Sequence, residues 1–568
     1  MLNWRMSAGD PQRPPPSTFA RWLGATLAPF RHRAFALFWW ATLASSFGSM
    51  IQTVGASWLM TTLAPSPDTV ALVQTASSLP FFFLSLVAGA FADTRGRRSI
   101  MLVSQAISLA ASAALAAVVL TGSATPTLLL AFTFLIGCGT AMFAPAWQAS
   151  IGEMVPRGMI PSAVIANAAG FNLARSVGPA IGGVIVAALG AAVAFVINAL
   201  SYLGILATLV WWRPKRLQGE LPPEPLGTAL AAGLRYVWLS PHLLAILLRC
   251  ILHTIPIAAV PALMPMVARD LLGGGAATYG LLLGGFGVGA MLGALSSVAL
   301  RQRFTSDALL QLLSALACVA VVGIAQSRWA AVTLLATVLA GAAWTLAFAN
   351  FNIAVQLSSP RWVMARMLAT YQTVVFASIA LGSWVWGEFA SDAGLREALT
   401  VAGLTALVSL VASRWLPIAV EQPGLLDPRA RQELAPPSFD VPPTSGPIVV
   451  VIEYRVLPEH AVEFVAVINE VGRIRRRDGA RAWSISQDVD AVDIWVERFE
   501  CPTWLDYLRW RTRPTKADQA ARERLVRLIV GEHGGVRRLV VRPPGSHPLG
   551  VPRTDEEAGD IHLFPGNR

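Results

Sequence analysis

Long apolar segments recur through most of this chain and limit what it can fold into. A helix needs about 20 mostly apolar residues to cross a bilayer, and runs of that length follow one another for roughly 380 residues. Only 14% of the residues are charged, whereas soluble domains carry roughly 25%. These segments also lack the polar face of a soluble amphipathic helix. The sequence therefore predicts a polytopic α-helical membrane protein.

Twelve membrane spans are predicted, numbered 1 to 12 along the chain, with boundaries good to a few residues. They are 35–60, 69–92, 99–121, 126–149, 162–188, 191–212, 243–266, 276–299, 306–326, 329–354, 364–389 and 394–416. A long polar segment, 213–242, separates span 6 from span 7, so the spans form two halves of six. Its second part, LGTALAAGLRYVWLS, is typical of an amphipathic helix that lies on the membrane surface.

Arginine and lysine residues collect in the loops on one side of the predicted membrane. That side carries Arg5, Arg13, Arg21, Arg31, Arg33, Arg95, Arg97, Arg98, Arg157, Arg213, Lys215, Arg216, Arg235, Arg301, Arg303, Arg361 and Arg366. The loops on the other side offer only Arg269, Arg328 and Arg396. Because cytosolic loops are rich in basic residues, we predict cytosolic termini in a plasma (inner) membrane protein. This placement accounts for the net charge of +11 without a nucleic-acid partner.

Beyond span 12 the composition becomes that of a soluble domain, called the tail domain below. Its segments read as β-α-β-β-α-β, with a break in the second helix at Pro514, which is the split βαβ pattern of ferredoxin-like domains. The predicted divisions are a cytosolic segment 1–34, six-helix halves 35–212 and 243–416, a cytosolic linker 213–242, a proline-rich linker 417–445, the tail domain 446–543 and a disordered end 544–568.

The sequence lacks the motifs that are typical of disulfides, metal sites and ATP-driven pumps. The four cysteines lack disulfide or metal spacing, and the phosphate-binding motif GxxxxGK[ST] of ATP-driven pumps does not occur. We therefore expect no metal, no cofactor and no ATP-driven pump.

The stretch GAFADTRGRR, residues 89–98, lies between spans 2 and 3. It resembles the signature G-x-x-x-D-[RK]-x-G-R-[RK] of the major facilitator superfamily. Gly89, Asp93, Gly96, Arg97 and Arg98 match that signature, and Thr94 replaces its usual base. The twelve spans in two halves of six agree with the same superfamily. The resemblance implies a transporter fold.

The resemblance also implies a gate at the cytosolic surface. Asp93 would face the N-terminus of span 11, where the helix dipole favours an anion, while Arg97 or Arg98 would bridge to Glu153 at the end of span 4. Such a cluster would hold the halves together in the outward-open state. The alternative is that the arginines only set the topology of the loop.

A second glycine-rich motif lies in span 5, in the stretch GFNLARSVGPAIGG at residues 170–183. It resembles the exporter motif of the superfamily, and the matching residues are Gly170, Gly178, Pro179, Gly182 and Gly183. Proline and glycine allow a kinked helix with close neighbours. Gly285, Gly289 and Gly293 share one face of span 8, and this face is expected to pack on span 5.

These motifs together with the tail domain resemble the enterobactin-exporter-like branch, also called transmembrane secretion effectors. The resemblance implies secondary active export of siderophores, macrolides or other amphipathic small molecules. It also implies that this export is coupled to protons. An importer of the same fold is the first alternative. We expect a transporter, not an enzyme.

Polar residues inside the spans are costly and are therefore candidates for the cavity or for ion coupling. They are Gln52, Asn172, Arg175, Arg249, His253, Asn350, Asn352 and Glu388. Each has an alternative explanation, since arginine can snorkel to the interface and amides can join helices. The acid on span 1 and the arginine on span 4 that many proton antiporters carry are missing here. Asp93, Glu153, His253 or Glu388 would then carry the proton.

The tail domain resembles small dimeric αβ domains of the antibiotic-biosynthesis-monooxygenase type. It contains Trp483, Trp495, Trp504 and Trp510, but its first strand has no asparagine and its second helix no histidine. We expect a regulatory or self-association module. A membrane-tethered monooxygenase is the second alternative.

Overall fold

The computed structural model describes residues 28–64, 66–95, 97–212, 226–360, 362–418, 437, 441–531 and 534–542, without the side chains of 85–95, 149, 157, 226, 228–230, 365, 534 and 535. The predicted disordered end, most of segment 1–34, much of both linkers and Gly96 lie outside the described residues.

Each of the twelve predicted spans corresponds to a helical segment. Their bounds are Arg33–Leu63, Pro67–Arg95, Arg97–Leu120, Pro126–Met154, Ile160–Leu189, Ala191–Trp211, Pro241–Leu271, Ala276–Arg303, Ser306–Gln326, Ala330–Leu357, Met364–Ala393 and Leu395–Ala412. In the described part of the chain, eleven of these are long and apolar enough to cross a membrane. Span 2, Pro67–Arg95, has 29 residues and includes the stretch without described side chains. The prediction of a polytopic membrane fold in two halves of six is confirmed.

Span 7 is interrupted, and it is longer than predicted. It consists of the helices Pro241–Ile257 and Ala259–Met266 followed by a π-helical turn, Val267–Leu271. Pro256 and Pro265 lie inside the two helices, and each removes a backbone donor and disturbs the preceding turn. The predicted end at residue 266 stops short of the π turn because the turn contains the charged pair Arg269 and Asp270.

The N-terminal half packs around span 1, which contacts spans 5 and 6, while span 4 contacts spans 2 and 3. An aromatic cluster fills one end of this half, where Phe38 stacks on Trp147 at 5.3 Å between ring centroids and meets Trp212 edge-on. In the C-terminal half, span 9 packs along span 12. Span 5 and span 8 lie in extended contact and join the two halves.

The tail domain is a small α+β domain. Its elements are β1 (Ile448–Arg455), α1 (Ala461–Asp478), β2 (Arg481–Gln487), β3 (Ile494–Cys501), α2 (Trp504–Arg511), α3 (Ala517–Arg527) and β4 (Gly534–Val540). The strands form an antiparallel sheet in the order β2-β3-β1-β4. The predicted element order is present, and the second helix divides around Pro514, because proline cannot continue the hydrogen-bond ladder.

The chain forms two compact units. One contains the membrane spans, and the other joins the tail domain to residues 224–244 and 355–367. The first of these segments contains the helix Leu226–Trp238, called the linker helix below. The second connects spans 10 and 11. Segments that are far apart in sequence are therefore neighbours in the second unit.

Candidate functional site

The charged loop between spans 2 and 3 forms an ion pair with span 4. Arg97 begins span 3, and its Nη1 lies 2.6 Å from Oε1 of Glu153 near the end of span 4. The two side chains are 31% and 20% exposed. Ion pairs at this level of exposure contribute about 0–1 kcal/mol. The pair can therefore open and reform at small cost.

Arg98 takes a different partner from Arg97. Its Nε donates to the carbonyl of Leu209 at 2.8 Å and its Nη2 to the carbonyl of Val210 at 3.1 Å. These carbonyls belong to the last turn of span 6, where helices leave acceptors without an intrahelical donor. The positive charge also suits the negative end of the helix dipole. Of the two arginines considered for Glu153, Arg97 makes the contact.

Three other residues of the loop motif have no described side-chain surroundings. Gly89 and Asp93 lie within the helix of span 2, whereas Gly96 lies outside the described residues. The docking of Asp93 at the start of span 11 therefore stays a prediction.

The glycines of span 5 face two different helices. A methyl group at Gly178 would lie 2.7 Å from Cβ of Met50, and one at Gly182 would lie 3.0 Å from Cα of Ile51, so both face span 1. Gly170 also faces span 1, with a methyl position 3.2 Å from the Trp39 ring. Pro179 is buried beside them. Small residues here allow the backbones of spans 1 and 5 to approach closely.

Gly183 faces span 8, at the contact between the two halves. This contact is called the seam below. A methyl group there would lie 2.7 Å from Cα of Gly280. Further along, the hydroxyl of Ser176 donates to the carbonyl of Gly287 at 2.9 Å. A methyl group at Gly284 would lie 3.2 Å from Cβ of Ala180. The seam thus joins residues 176–183 to residues 280–287.

The expectation that Gly285, Gly289 and Gly293 face span 5 is wrong. These glycines face span 10, since a methyl group at Gly293 would lie 2.9 Å from the carbonyl oxygen of Ala342 and one at Gly285 3.1 Å from the Thr337 hydroxyl. Span 8 carries small residues on two faces. The glycine spacing shows which residues share a face for close packing, but it does not indicate which helix packs on that face.

Several described contacts between the halves lie at mid-membrane or at the end opposite the arginine-bearing loops. The end with Arg33, Arg97 and Arg303 is called the basic end below. At the opposite end, the Ser391 hydroxyl donates to Oδ1 of Asp68 at 2.8 Å. Further contacts join Arg269 to the Thr61 carbonyl, Thr75 to the Ala380 carbonyl, and the stacked rings of Phe81 and Phe376. These contacts hold the halves together on the side opposite the basic end.

Arg249 of span 7 is the most deeply buried charge among the candidates. Its side chain is 0% exposed, and it forms an ion pair with Asp307, which is 27% exposed. Oδ2 of Asp307 also accepts a hydrogen bond from Gln311 at 2.9 Å. Sequence reasoning missed Asp307, because an acid in the first turn of a helix is common. The useful signal is that a buried arginine needs a counter-charge on a neighbouring span.

Three further candidates lie in spans 7 and 10 of the C-terminal half. His253 is 1% exposed, and its Nδ1 lies 3.4 Å from the hydroxyl of Ser314. The Asn350 amide donates to the carbonyl of Ser306 at 2.9 Å. Asn352 is partly exposed on the same span as Asn350.

The remaining candidates are spread over the membrane unit. Gln52 is buried among spans 1, 3 and 6, where its carbonyl accepts hydrogen bonds from Ser112 and Asn198. The Arg175 guanidinium lies 5.8 Å from the ring centroid of Phe286 on span 8. Asn172 is partly exposed, and Glu388 is exposed on span 11. The candidates therefore occupy several places and do not form one cluster.

The tail domain contains a buried polar cluster around Glu497. Glu497 is 0% exposed, and its carboxylate accepts hydrogen bonds from the Tyr454 hydroxyl and the Trp483 indole, each at 2.7 Å. Arg475 pairs with the same carboxylate at 2.6 Å. Trp495 packs on Phe464. Buried polar groups with several partners stabilise a core. A structural role therefore explains Glu497 and the side chains that bind it.

The fold and the seam define a class of protein, a multi-pass membrane transporter of the major facilitator type. The family model for transmembrane secretion effectors matches residues 24–543, and the chain belongs to this family. The predicted family is confirmed.

Two named relatives share parts of the sequence. The multidrug efflux pump Tap of Mycolicibacterium fortuitum is 27% identical over 398 residues, which cover 66% of this chain and 94% of the relative. The staphyloferrin A transporter of Staphylococcus aureus is 27% identical over 156 residues, or 27% of this chain and 39% of that one.

A solved structure shares the fold. It is a bacterial homologue of the human lysosomal transporter Spinster in an inward-facing, unoccupied conformation. The TM-score is 0.57 with 15% sequence identity, and the match covers 70% of this chain and 99% of that chain. At this identity the likeness concerns the fold alone.

Proposed function

We propose that the protein is a secondary active transporter that exports amphipathic small molecules, such as siderophores, drugs or secondary metabolites, across the inner membrane. The observation that carries this proposal is the seam between spans 5 and 8, where Gly183 and Gly280 bring the backbones of the two halves together. The Tap pump and the staphyloferrin A transporter support export of this substrate class. The arginine distribution supports a cytosolic basic end and cytosolic termini.

Alternating access follows from where the halves touch. Contacts such as Asp68 with Ser391 lie at the end opposite the basic end, so substrate would enter from the basic end. The substrate site would then lie near mid-membrane between the halves. Closing the basic end would depend on contacts there, and Asp93 with the start of span 11 would supply one of them. The ion pair of Arg97 and Glu153 fixes the loop that presents Asp93.

Protons are the driving ion in this proposal. Glu153 is a candidate carrier because its ion pair with Arg97 is partly exposed. His253 is enclosed beside Ser314, and Glu388 is exposed on span 11. Asp93, near the end of span 2, and Glu153, near the end of span 4, are therefore the proposed carriers.

Replacing Asp93 with asparagine is expected to reduce export about tenfold or more, since the neutral amide loses its attraction to the positive end of span 11. Insertion into the membrane should be unchanged, because the arginines that set topology remain. Transport into inverted vesicles measures the first effect and membrane abundance the second. Asp392→Asn, an exposed acid near the opposite end of span 11, serves as the matched substitution and should leave export unchanged. Unchanged export by the Asp93 variant would refute the gate.

The direct test of function uses the full chain in proteoliposomes with an imposed pH gradient. The probes are a catecholate siderophore, a macrolide and a lipophilic cationic dye. We expect at least one to move against its gradient when the proton gradient is present and to stop when an ionophore removes it. Movement that ignores the proton gradient would refute coupling, and movement of none of the probes would refute the substrate class.

The tail domain is proposed to regulate transport or to support self-association, with no reaction of its own. Its edge strand β4 exposes Val536 and Leu539, which are 53% and 51% exposed, and open strand edges favour pairing with another chain. Light scattering of the purified full chain tests this. A mass of one chain per particle at all concentrations would refute self-association.

A further inference from the structure

The tail domain contacts the linker helix and the loop between spans 10 and 11 through aromatic side chains. Tyr236 of the linker helix is 2% exposed. Its ring meets the ring of Trp362, which lies two residues before span 11, edge-on at 5.6 Å. The linker helix and the loop thus meet each other within this unit.

Arg477, at the end of α1, binds the linker helix. Its guanidinium lies 5.1 Å from the ring centroid of Tyr236. Two acids hold it in place, since its Nε donates to Asp478 at 3.0 Å and its Nη2 donates to Asp518 at 2.8 Å. Burial alone would lower the pKa of Arg477, but Asp478, Tyr236 and Asp518 raise it overall. The side chain is therefore a fixed, permanently charged contact.

Arg513, in the turn between α2 and α3, binds the loop. Its guanidinium lies 4.3 Å from the ring centroid of Trp362, and its Nη1 donates to the carbonyl of Asp478 at 2.5 Å. Arginine over an aromatic face is attracted by the ring, more strongly when water is excluded. We call Tyr236, Trp362, Arg477 and Arg513 the tail clamp.

The two segments held by the tail clamp lead directly into three spans. The linker helix ends at Trp238, and span 7 begins at Pro241. The loop follows the end of span 10 at Leu357 and precedes the start of span 11 at Met364. A domain that fixes both segments limits the independent movement of the adjoining span ends.

We propose that the tail domain is a brace that makes the basic ends of spans 7, 10 and 11 move as one body during the transport cycle. The surface of the tail domain that carries Arg477 and Arg513 binds two segments of the same chain, the linker helix and the loop between spans 10 and 11. The contact surface itself does not depend on what is transported. Only the effect on export rests on the function proposed above.

Hydrogen exchange of the full chain in nanodiscs tests the clamp. In Arg513→Ala and Trp362→Ala, we expect amides in 226–238 and 358–363 to exchange about tenfold faster, because local opening becomes easier. The amides of β1 and β3 should keep their protection, which shows that the domain still folds. Trp362→Phe retains a ring for Arg513 and should stay near wild type.

The matched control removes an arginine from the same domain outside the clamp. Arg524 pairs with Glu470 at 2.8 Å on the surface of the tail domain, and Arg524→Ala should leave both loop segments protected. Unchanged exchange in the two clamp variants would refute the clamp.

The brace has two readouts of its own. Exchange at the starts of spans 7 and 11, residues 241–248 and 364–371, should also rise in Arg513→Ala, and export should fall about fivefold while Trp362→Phe transports normally. Faster exchange in the loops with unchanged span starts would overturn the brace. If no probe is transported even by the wild type, the proposed function fails, while the exchange results still decide the clamp and the brace.

Discussion

Gly183→Val is expected to destabilise the membrane unit and to abolish export. A Cβ at this position lies 2.7 Å from Cα of Gly280 and 2.8 Å from the carbonyl oxygen of Ala276. Both are backbone atoms, so neither can rotate away, and the halves must separate at the seam. Overpacking of this kind costs about 1–3 kcal/mol. Thermal unfolding in detergent measures the loss, and transport in vesicles measures the functional effect.

The same substitution at another glycine in a span provides the control. Gly204 lies on span 6, and a Cβ there has its nearest neighbour, Cβ of Ala41, at 3.7 Å, an ordinary contact. Gly204→Val should therefore fold and transport close to wild type. Equal behaviour of the two variants would show that the seam between spans 5 and 8 does not require a small residue.

Asp307→Asn is the second substitution with a large expected effect. It leaves the fully buried guanidinium of Arg249 without its counter-charge. Removing one partner of a buried ion pair costs about 3–5 kcal/mol, because the other charge stays desolvated. The variant should accumulate poorly in the membrane and unfold at a lower temperature than the wild type.

Two further variants separate charge pairing from packing. Arg249→Met combined with Asp307→Asn removes both charges and should recover most of the lost stability. Asp270→Asn removes an acid from a pair with Arg269 in which both side chains are partly exposed, and the effect should stay within about 1 kcal/mol. A double variant no more stable than Asp307→Asn alone would contradict the account of this pair.

Periodicity and composition predict the membrane fold well, since each span must supply a long apolar surface to lipid. The sequence also identifies the ion pair at Glu153, because the arginines and the acid both lie next to span ends on one side. It leaves open which arginine binds Glu153. Only the position of the span 6 carbonyls, which take up Arg98, decides between them.

Packing partners are harder to predict from sequence. Gly280 and Gly285 are both glycines of span 8, yet the first faces span 5 and the second faces span 10. Spacing determines which residues share a face, whereas the neighbour depends on how the whole bundle is assembled. Asp307 illustrates the same limit, because its role depends on a partner 58 residues away in the chain.

The contacts of the tail clamp also could not be predicted from the sequence. Tyr236 and Trp362 resemble ordinary aromatic residues at a membrane interface, and Arg477 and Arg513 resemble solvated surface charges. Their contacts join three segments widely separated along the chain. A single sequence carries no signal for such contacts.

Alternating access is the central claim, and paired distance measurements test it most directly. Spin labels on Ile165 and Leu295 report the basic ends of spans 5 and 8, and labels on Leu189 and Leu281 report the opposite ends; all four positions are exposed. The native cysteines would first be replaced. We predict two distance populations for each pair, shifting in opposite directions when a transported probe or a lower pH is applied. A single distance for each pair under all conditions would contradict the account.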